Sequence, residues 1–226
     1  MLVYGGSTAT GTLALQLLKL SGLNPITTCS PHNFDLVKSY GAGAAFDYRS
    51  PSCTQDIKKL TRNSLKYVLD CISEPETMQF CYACLGRAGG KYTALEPYVE
   101  FLHTRPRTVR PDWVLGPVVL GKKLGWPEPF NKEADAAARE FAIGWFKTAQ
   151  RLLDEGKLKT HPIRVMEGGL EKVVDGLEVL KKKEVSGQKL IYTLAQQEQA
   201  KSFLSHILHF LMSIRVWFLA LFLVGK

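Results

Sequence analysis

An α/β fold built on a doubly wound parallel sheet is what this 226-residue sequence predicts, and three observations predict it. Short strand-forming runs alternate with helix-forming stretches from the first residues to about residue 93. The first strand and helix are joined by a tight loop rich in Gly and Thr. The connections are short, so successive strand–helix–strand units lay their strands side by side and parallel, with helices on both faces.

The elements follow in order. Leu2, Val3 and Tyr4 form an apolar strand that Gly5 and Gly6 break, residues 11–20 are good helix formers, and Gly22 with Pro25 supplies the stop. A helix that starts just after such a loop offers free N–H groups and a partial positive charge, where a phosphate fits. Ser7, Thr8 and Thr10 add hydroxyl donors at the loop. Gly6 and Gly11 match the first and third glycines of the dinucleotide fingerprint G-x-G-x-x-G, with Thr8 in the second place. The unit is therefore of the Rossmann type.

Ile26–Cys29 reads as the second strand, 31–40 as a helix and 44–46 as the third strand. Ser30 is a fitting N-cap before Pro31, and Gly41 a fitting residue just past the helix end. Units of this kind that bind NAD place Asp or Glu at the end of the second strand to hold the ribose 2′-hydroxyl. Here the stretch is Cys29, Ser30, Pro31, His32 and Asn33, with no carboxylate. Small donors with Lys38 and Arg49 nearby suit a 2′-phosphate, and so NADPH. Residues 65–72 make a fourth strand, 75–85 a helix and 89–95 a fifth strand. Ligands bind such sheets at the carboxyl ends of the strands.

Residues 97–131 are irregular and rich in proline, and an apolar island at 112–121 sits among them. Two readings of the island stand open: the lining of an acyl-chain pocket, or an extra buried strand. A long amphipathic helix follows at 133–156, then a strand, a helix over about 170–181, a turn at Ser186 and Gly187, and a last strand at 189–194. The sequence thus divides into a cofactor domain over 1–195 and a hydrophobic tail over 196–226. Residues 203–224 are long and apolar enough to span a hydrocarbon core of about 30 Å, although Arg215 near the middle costs roughly 2.5–3.5 kcal/mol. The tail reads as a C-terminal membrane anchor, a helix lying on a membrane surface, or translated intron or downstream sequence.

Composition narrows the function classes. With 46% hydrophobic and 22% charged residues the chain fills one globular core. The net charge of +8 is compatible with an anionic partner, but no basic stripe interleaved with aromatics is present, which argues against nucleic acid. The cysteines, Cys29, Cys53, Cys71, Cys81 and Cys84, are odd in number and scattered, unlike a secreted disulfide framework. Cys81-x-x-Cys84 stands without a second pair, so no metal site is expected and the thiols read as buried. No signal peptide precedes the first strand, which points to the cytoplasm. No tyrosine has Lys four positions later, which sets aside the Tyr-x-x-x-Lys pair of short-chain dehydrogenases.

The stretches LVYGGSTATGTLALQLLKLSG, TCSPHNFDLVKSYGA, FDYRSP, LDCI, GRAGGKY, DWVLGP and VSGQKLIY resemble the medium-chain dehydrogenase/reductase superfamily over about residues 1–195. More narrowly, they resemble the fungal trans-acting enoyl reductases of the lovastatin type. The resemblance implies zinc-free, NADPH-dependent reduction of an α,β-unsaturated acyl thioester. That thioester is carried by the acyl carrier domain of a separate highly reducing polyketide synthase or polyketide synthase–peptide synthetase hybrid. It implies a monomer. It puts the cofactor's phosphates at Ser7, Thr8, Ala9 and Thr10. The 2′-phosphate and adenosine fall at Ser30, Pro31, His32, Asn33 and Tyr48, and the nicotinamide end at Leu95 and Glu96. Val185 and Ser186 match a late cofactor turn, and Gly116, Pro117, Val118, Val119 and Leu120 a substrate-contacting segment. No catalytic acid is singled out, although Tyr92, His103 and His161 are available. In that superfamily a GroES-like domain precedes the first Rossmann strand, and its absence here implies an N-terminally truncated member, with exposed apolar surface where that domain would pack. The alternative function is a catalytically inactive, NADPH-binding scaffold protein.

Overall fold

The computed structural model describes residues 1–193; the expected domain boundary at 195 and the apolar stretch 203–224 lie outside the described residues. Six parallel strands form one sheet: β1 (Leu2–Tyr4), β2 (Ile26–Cys29), β3 (Ala44–Asp47), β4 (Tyr67–Asp70), β5 (Gly90–Ala94) and β6 (Val109–Trp113). Their spatial order is β3-β2-β1-β4-β5-β6, the doubly wound arrangement in which the chain leaves β1 in both directions. The helices are α1 (Ala9–Leu20), α2 (Phe34–Ser39), α3 (Cys53–Leu60), α4 (Pro75–Cys84), α5 (Ala136–Asp154) and α6 (Val173–Lys181). After α5, β7 (Ile163–Met166) and β8 (Lys189–Tyr192) pair in parallel as a separate two-stranded sheet.

Strand alternation divides the core in two. Leu2 and Tyr4 pack with Ile57 of α3 and with Met78, Cys81 and Tyr82 of α4, whereas Val3 packs with Leu13, Leu15, Leu17 and Leu18 of α1 and with Ala149 of α5. Both faces of the sheet are covered, so β1 is apolar along its whole length. The register aligns Tyr4 with Thr28 and with Asp70, and Asp70 with Ala94. The carboxyl ends of the central strands therefore come level, and that edge is where the loops of interest gather.

Several elements differ from the sequence reading. The stretch 31–40 is a 3-10 turn over Pro31–Asn33 followed by a short α2, and Ser30 makes no side-chain cap. A helix the pattern did not single out, α3, turns Cys53 and Ile57 inward and leaves Leu60 and its polar positions toward the surface. The sixth strand ends at Trp113, so the apolar island is split; its second half, Gly116–Leu120, is a 3-10 helix packed on α5. Leu170, Val174 and Leu177, in and just before α6, are 69%, 66% and 58% exposed. No helix among the described residues is long and apolar enough to cross a membrane.

Candidate functional site

The loop after β1 is built by local hydrogen bonds. Thr8 is the N-cap of α1: its Oγ1 accepts from the Gly11 N–H at 2.9 Å and donates to the Gly5 carbonyl at 2.8 Å. The Thr8 hydroxyl is therefore used within the loop and is not a free anion donor. Thr10, 2% exposed, does not line the cleft described below. What the loop presents is Ser7 and the backbone N–H groups at the start of α1. A side chain at Gly11 would run into the Gly5 carbonyl and the Gly6 backbone, and one at Gly6 would meet Thr27, whose Oγ1 donates to the Val3 carbonyl at 2.6 Å. Close backbone contact thus demands glycine at position 11, and the Thr27 side chain demands it at position 6.

A cleft of about 670 Å³ opens beside this loop, lined by Ser7, Thr8 and Ala9 on one side and by His161, Ser186 and Lys189 on the other. The late turn is tied to the end of β2. Asn33 donates from Nδ2 to Ser186 Oγ at 2.8 Å, and His32 Nε2 lies 2.9 Å from the same oxygen. Residues from 7–9, 32–33 and 185–186 are brought together here from opposite ends of the chain. Next to them Arg49 donates from Nη1 to Ser30 Oγ at 3.0 Å and stacks 4.6 Å over the Tyr48 ring. This exposed guanidinium reaches the residue that follows β2, while Lys38 is exposed on α2 with no described link to Ser30. The carboxylate in this region, Asp47, ends β3 and accepts from the Arg49 N–H at 3.0 Å.

At the ends of β4 and β5 a buried carboxylate organises the backbone. Asp70 is fully buried: Oδ1 accepts from the N–H groups of Ile72 and Ser73 at 3.0 Å each, and Oδ2 from the hydroxyls of Thr77 at 2.6 Å and Tyr92 at 3.0 Å. Ser73, held at φ +65, in turn accepts from the Leu95 N–H at 2.8 Å. Leu95 is thereby fixed at the strand end, with the exposed Glu96 beyond it. Burial and the Asp70 charge push the Tyr92 phenol far up, and Tyr92 serves the Asp70 cluster inside the core. His103 is likewise engaged: its Nδ1 lies 3.0 Å from the Tyr82 hydroxyl, and burial pushes that phenol up to about 12.

Gly116, Pro117, Val118, Val119 and Leu120 do not line the 670 Å³ cleft. Val118 and Val119 pack instead with Val114, Ala138, Ala142 and Trp145, while Leu120 is exposed. The cysteines contribute no nucleophile to the cleft. Burial raises Cys29 and Cys53 to about 11 and Cys84 to about 12, and pushes Cys81 well above the ordinary thiol value. Among the described residues no three His, Cys, Asp or Glu side chains converge as a metal site.

Two features of the site escape sequence inspection. One is the convergence of Asp70, Thr77 and Tyr92. The other is His161 at the first turn of α1, a contact across 149 residues of sequence for which no local signal exists.

The chain is similar to known proteins in sequence and in fold. A family profile described as "Zinc-binding dehydrogenase" matches residues 9–94. A trans-enoyl reductase, FSL5, from Gibberella zeae is 72% identical over 196 residues, covering 87% of this chain and 54% of that protein. The trans-enoyl reductase fsa3 of a Fusarium species is 56% identical over 194 residues, covering 86% of this chain and 55% of its own length. The chain spans about half the length of the curated relatives it matches. Among solved structures, the CurK enoyl reductase superposes with a TM-score of 0.64 at 16% identity, over 85% of this chain and 54% of that one. A quinone oxidoreductase of Pseudomonas syringae does so with a TM-score of 0.61 at 17% identity, over 84% and 55%. At those identities the likeness speaks to the fold.

Proposed function

We propose that this chain, which belongs to the trans-enoyl reductase family of fungi, binds NADPH and forms the cofactor half of an enzyme that reduces an α,β-unsaturated acyl thioester. The thioester would be carried by the acyl carrier domain of a separate polyketide synthase, in the biosynthesis of a secondary metabolite. The observation that carries this reading is the pairing of two features on one sheet edge. A capped, glycine-cradled helix start faces the cleft, and a Ser30–Arg49–Tyr48 group stands at the end of β2, where a ribose-binding carboxylate is missing.

The residues present fit the dinucleotide. The N–H groups at the start of α1 meet the pyrophosphate, Arg49 with Ser30 holds the 2′-phosphate, and Tyr48 flanks the adenosine. Val185 and Ser186 close the far wall, and the Asp70-held segment from Ile72 to Leu95 shapes the nicotinamide end. When bound, the reduced nicotinamide supplies the hydride for the β-carbon, the α-carbon then taking a proton. This chain's part is to orient the cofactor and exclude water; no described residue is assigned as the proton donor. The scattered, proton-bearing thiols do not fit a zinc-ligand set, and the proposed reaction gives zinc no role.

The test is cofactor binding by the full chain, followed through reduced-nicotinamide fluorescence. NADPH should bind at least tenfold more tightly than NADH, and Arg49→Ala should abolish that preference while leaving NADH unaffected. Equal affinity for both in the unaltered protein would sink the NADPH assignment. The packing of Val118 and Val119 away from the cleft gives a second reading a specific basis: a cofactor-binding scaffold without turnover. Adding an enoyl thioester on an isolated acyl carrier domain separates the two, because only the enzyme reading expects NADPH oxidation.

A further inference from the structure

Residues 159–161 are clamped onto α1 by a set of hydrogen bonds that no element of the sheet requires. Gln16, 8% exposed, donates from Nε2 to the Lys159 carbonyl at 3.0 Å and accepts from the Lys159 N–H at 2.7 Å. Tyr40 donates its hydroxyl to the Thr160 carbonyl at 2.6 Å. The result is that the His161 ring sits at the first turn of α1, with Nδ1 2.9 Å from Thr12 Oγ1, and lines the cleft beside Ser7, Thr8 and Ala9.

The ring's two nitrogens differ. The Thr12 hydroxyl has two acceptors within reach, His161 Nδ1 at 2.9 Å and the Ala9 carbonyl at 3.2 Å, and the tautomer of the ring decides which of them takes its hydrogen. A ring that accepts at Nδ1 carries its own hydrogen on Nε2. Nε2 has no hydrogen-bond partner among the described residues, and it is not among the buried polar atoms left unsatisfied, so it is open to the cleft. Burial, with the Lys189 charge adding to it, holds the imidazole down at about 4, so the ring is neutral at pH 7.

We propose that His161 is a ligand of the dinucleotide's pyrophosphate, donating a neutral N–H from Nε2, with Thr12 setting the tautomer that places the hydrogen there. The phosphate site would then combine backbone N–H groups with one uncharged side-chain donor brought in from a distant part of the chain. This rests on the reading of the cleft as an NADPH site.

The experiment uses the full chain with NADPH as the probe. His161→Leu removes the donor and keeps the bulk; His161→Gln keeps an N–H near the position of Nε2. A lost hydrogen bond to a charged group predicts about tenfold or more weakening in the leucine variant, with the glutamine variant within about threefold of the unaltered protein. Thermal unfolding of each variant shows whether it is folded. The ring tautomer is read independently by ¹⁵N NMR of the unaltered protein without cofactor, and the Nε2–H form is expected. NADPH binding by a folded leucine variant as tight as that of the unaltered chain, or an Nδ1–H tautomer, overturns the proposal and leaves the cofactor reading standing. Absence of NADPH binding by the unaltered chain overturns both.

Discussion

Replacing Asp70 by Asn tests the structural logic of the site most directly. Four donors converge on two buried oxygens, two backbone N–H groups on Oδ1 and two hydroxyls on Oδ2. A carboxylate accepts all four; an amide cannot. If the amide oxygen keeps the two N–H partners, its NH₂ group faces two hydroxyls that were donating. Thr77 can redirect its hydrogen to the Glu74 carbonyl, 2.9 Å away, whereas Tyr92, 1% exposed, has no second acceptor among the described residues. One bond is rerouted, one buried hydroxyl is stranded, and the charge assistance of the remaining bonds is lost. Bonds to charged groups contribute about 1.5–3 kcal/mol and a stranded buried donor costs about 1–3 kcal/mol, so a loss of about 2–4 kcal/mol is expected. With a urea slope of about 2 kcal/mol/M, the unfolding midpoint should fall by about 1–2 M. Tyr92→Phe supplies the control: about 1 kcal/mol in the unaltered protein and close to nothing in the Asp70→Asn background. A midpoint that moves by less than about 0.2 M, or additive effects of the two changes, would refute the account of Asp70 as the group that holds this edge together.

Two further outcomes are expected. Gly11→Ala drives a methyl group into the Gly5 carbonyl and the Gly6 backbone, so it should distort the loop and abolish NADPH binding by calorimetry; retained affinity would show that the loop has room the structure denies. Stability should fall on acidification because of His161, whose imidazole is held at about 4 against an ordinary 6.5. The unfolded chain takes up that proton first, so the contribution is complete above pH 6.5 and is lost as pH falls from 6.5 toward 4. The slope is at most about 1.4 kcal/mol per pH unit, and the ring's opening to the cleft reduces the total to about 1–2 kcal/mol. Urea titrations across that window should show this component in the unaltered protein and not in His161→Gln.

The first half of the fold is legible because its signals are local. Leu2–Tyr4 and Ile26–Cys29 are apolar strands bounded by glycine or proline, and both lie where the pattern puts them. The doubly wound parallel sheet and the likeness to trans-enoyl reductases are likewise readable from the strand–loop–helix order and its glycines. Cys53–Leu60 is harder to see because it is only eight residues long, and its apolar positions Cys53, Ile57 and Leu60 are few among Thr, Gln, Asp and Lys. Val109–Trp113 is obscured by Arg110, Pro111 and Asp112, residue types that an edge strand tolerates and a central one does not. The hydroxyls of Thr8 and Thr10 look alike in sequence; one is used in capping and the other is buried, a distinction only the backbone path makes. His161 and Ser186 reach the cleft through contacts spanning 149 and 154 residues, beyond any local pattern.

Those spans have a consequence for how the protein comes into being. Every strand of the six-stranded sheet has been synthesised once Trp113 is made, but the second wall of the cleft waits for His161, Ser186 and Lys189. During synthesis there is an interval in which the sheet can assemble while the cleft still lacks one side. A nascent chain, or a product cut short before residue 186, would keep the glycine loop and lose the turn that Asn33 grips. On the proposed reading NADPH would act after the sheet has formed, as a fastener between the chain's earliest loop and one of its latest described turns. Protection by the cofactor should accordingly appear in the stretch from Leu158 onward, and a protease cutting there would separate a folded sheet from its capacity to hold the dinucleotide.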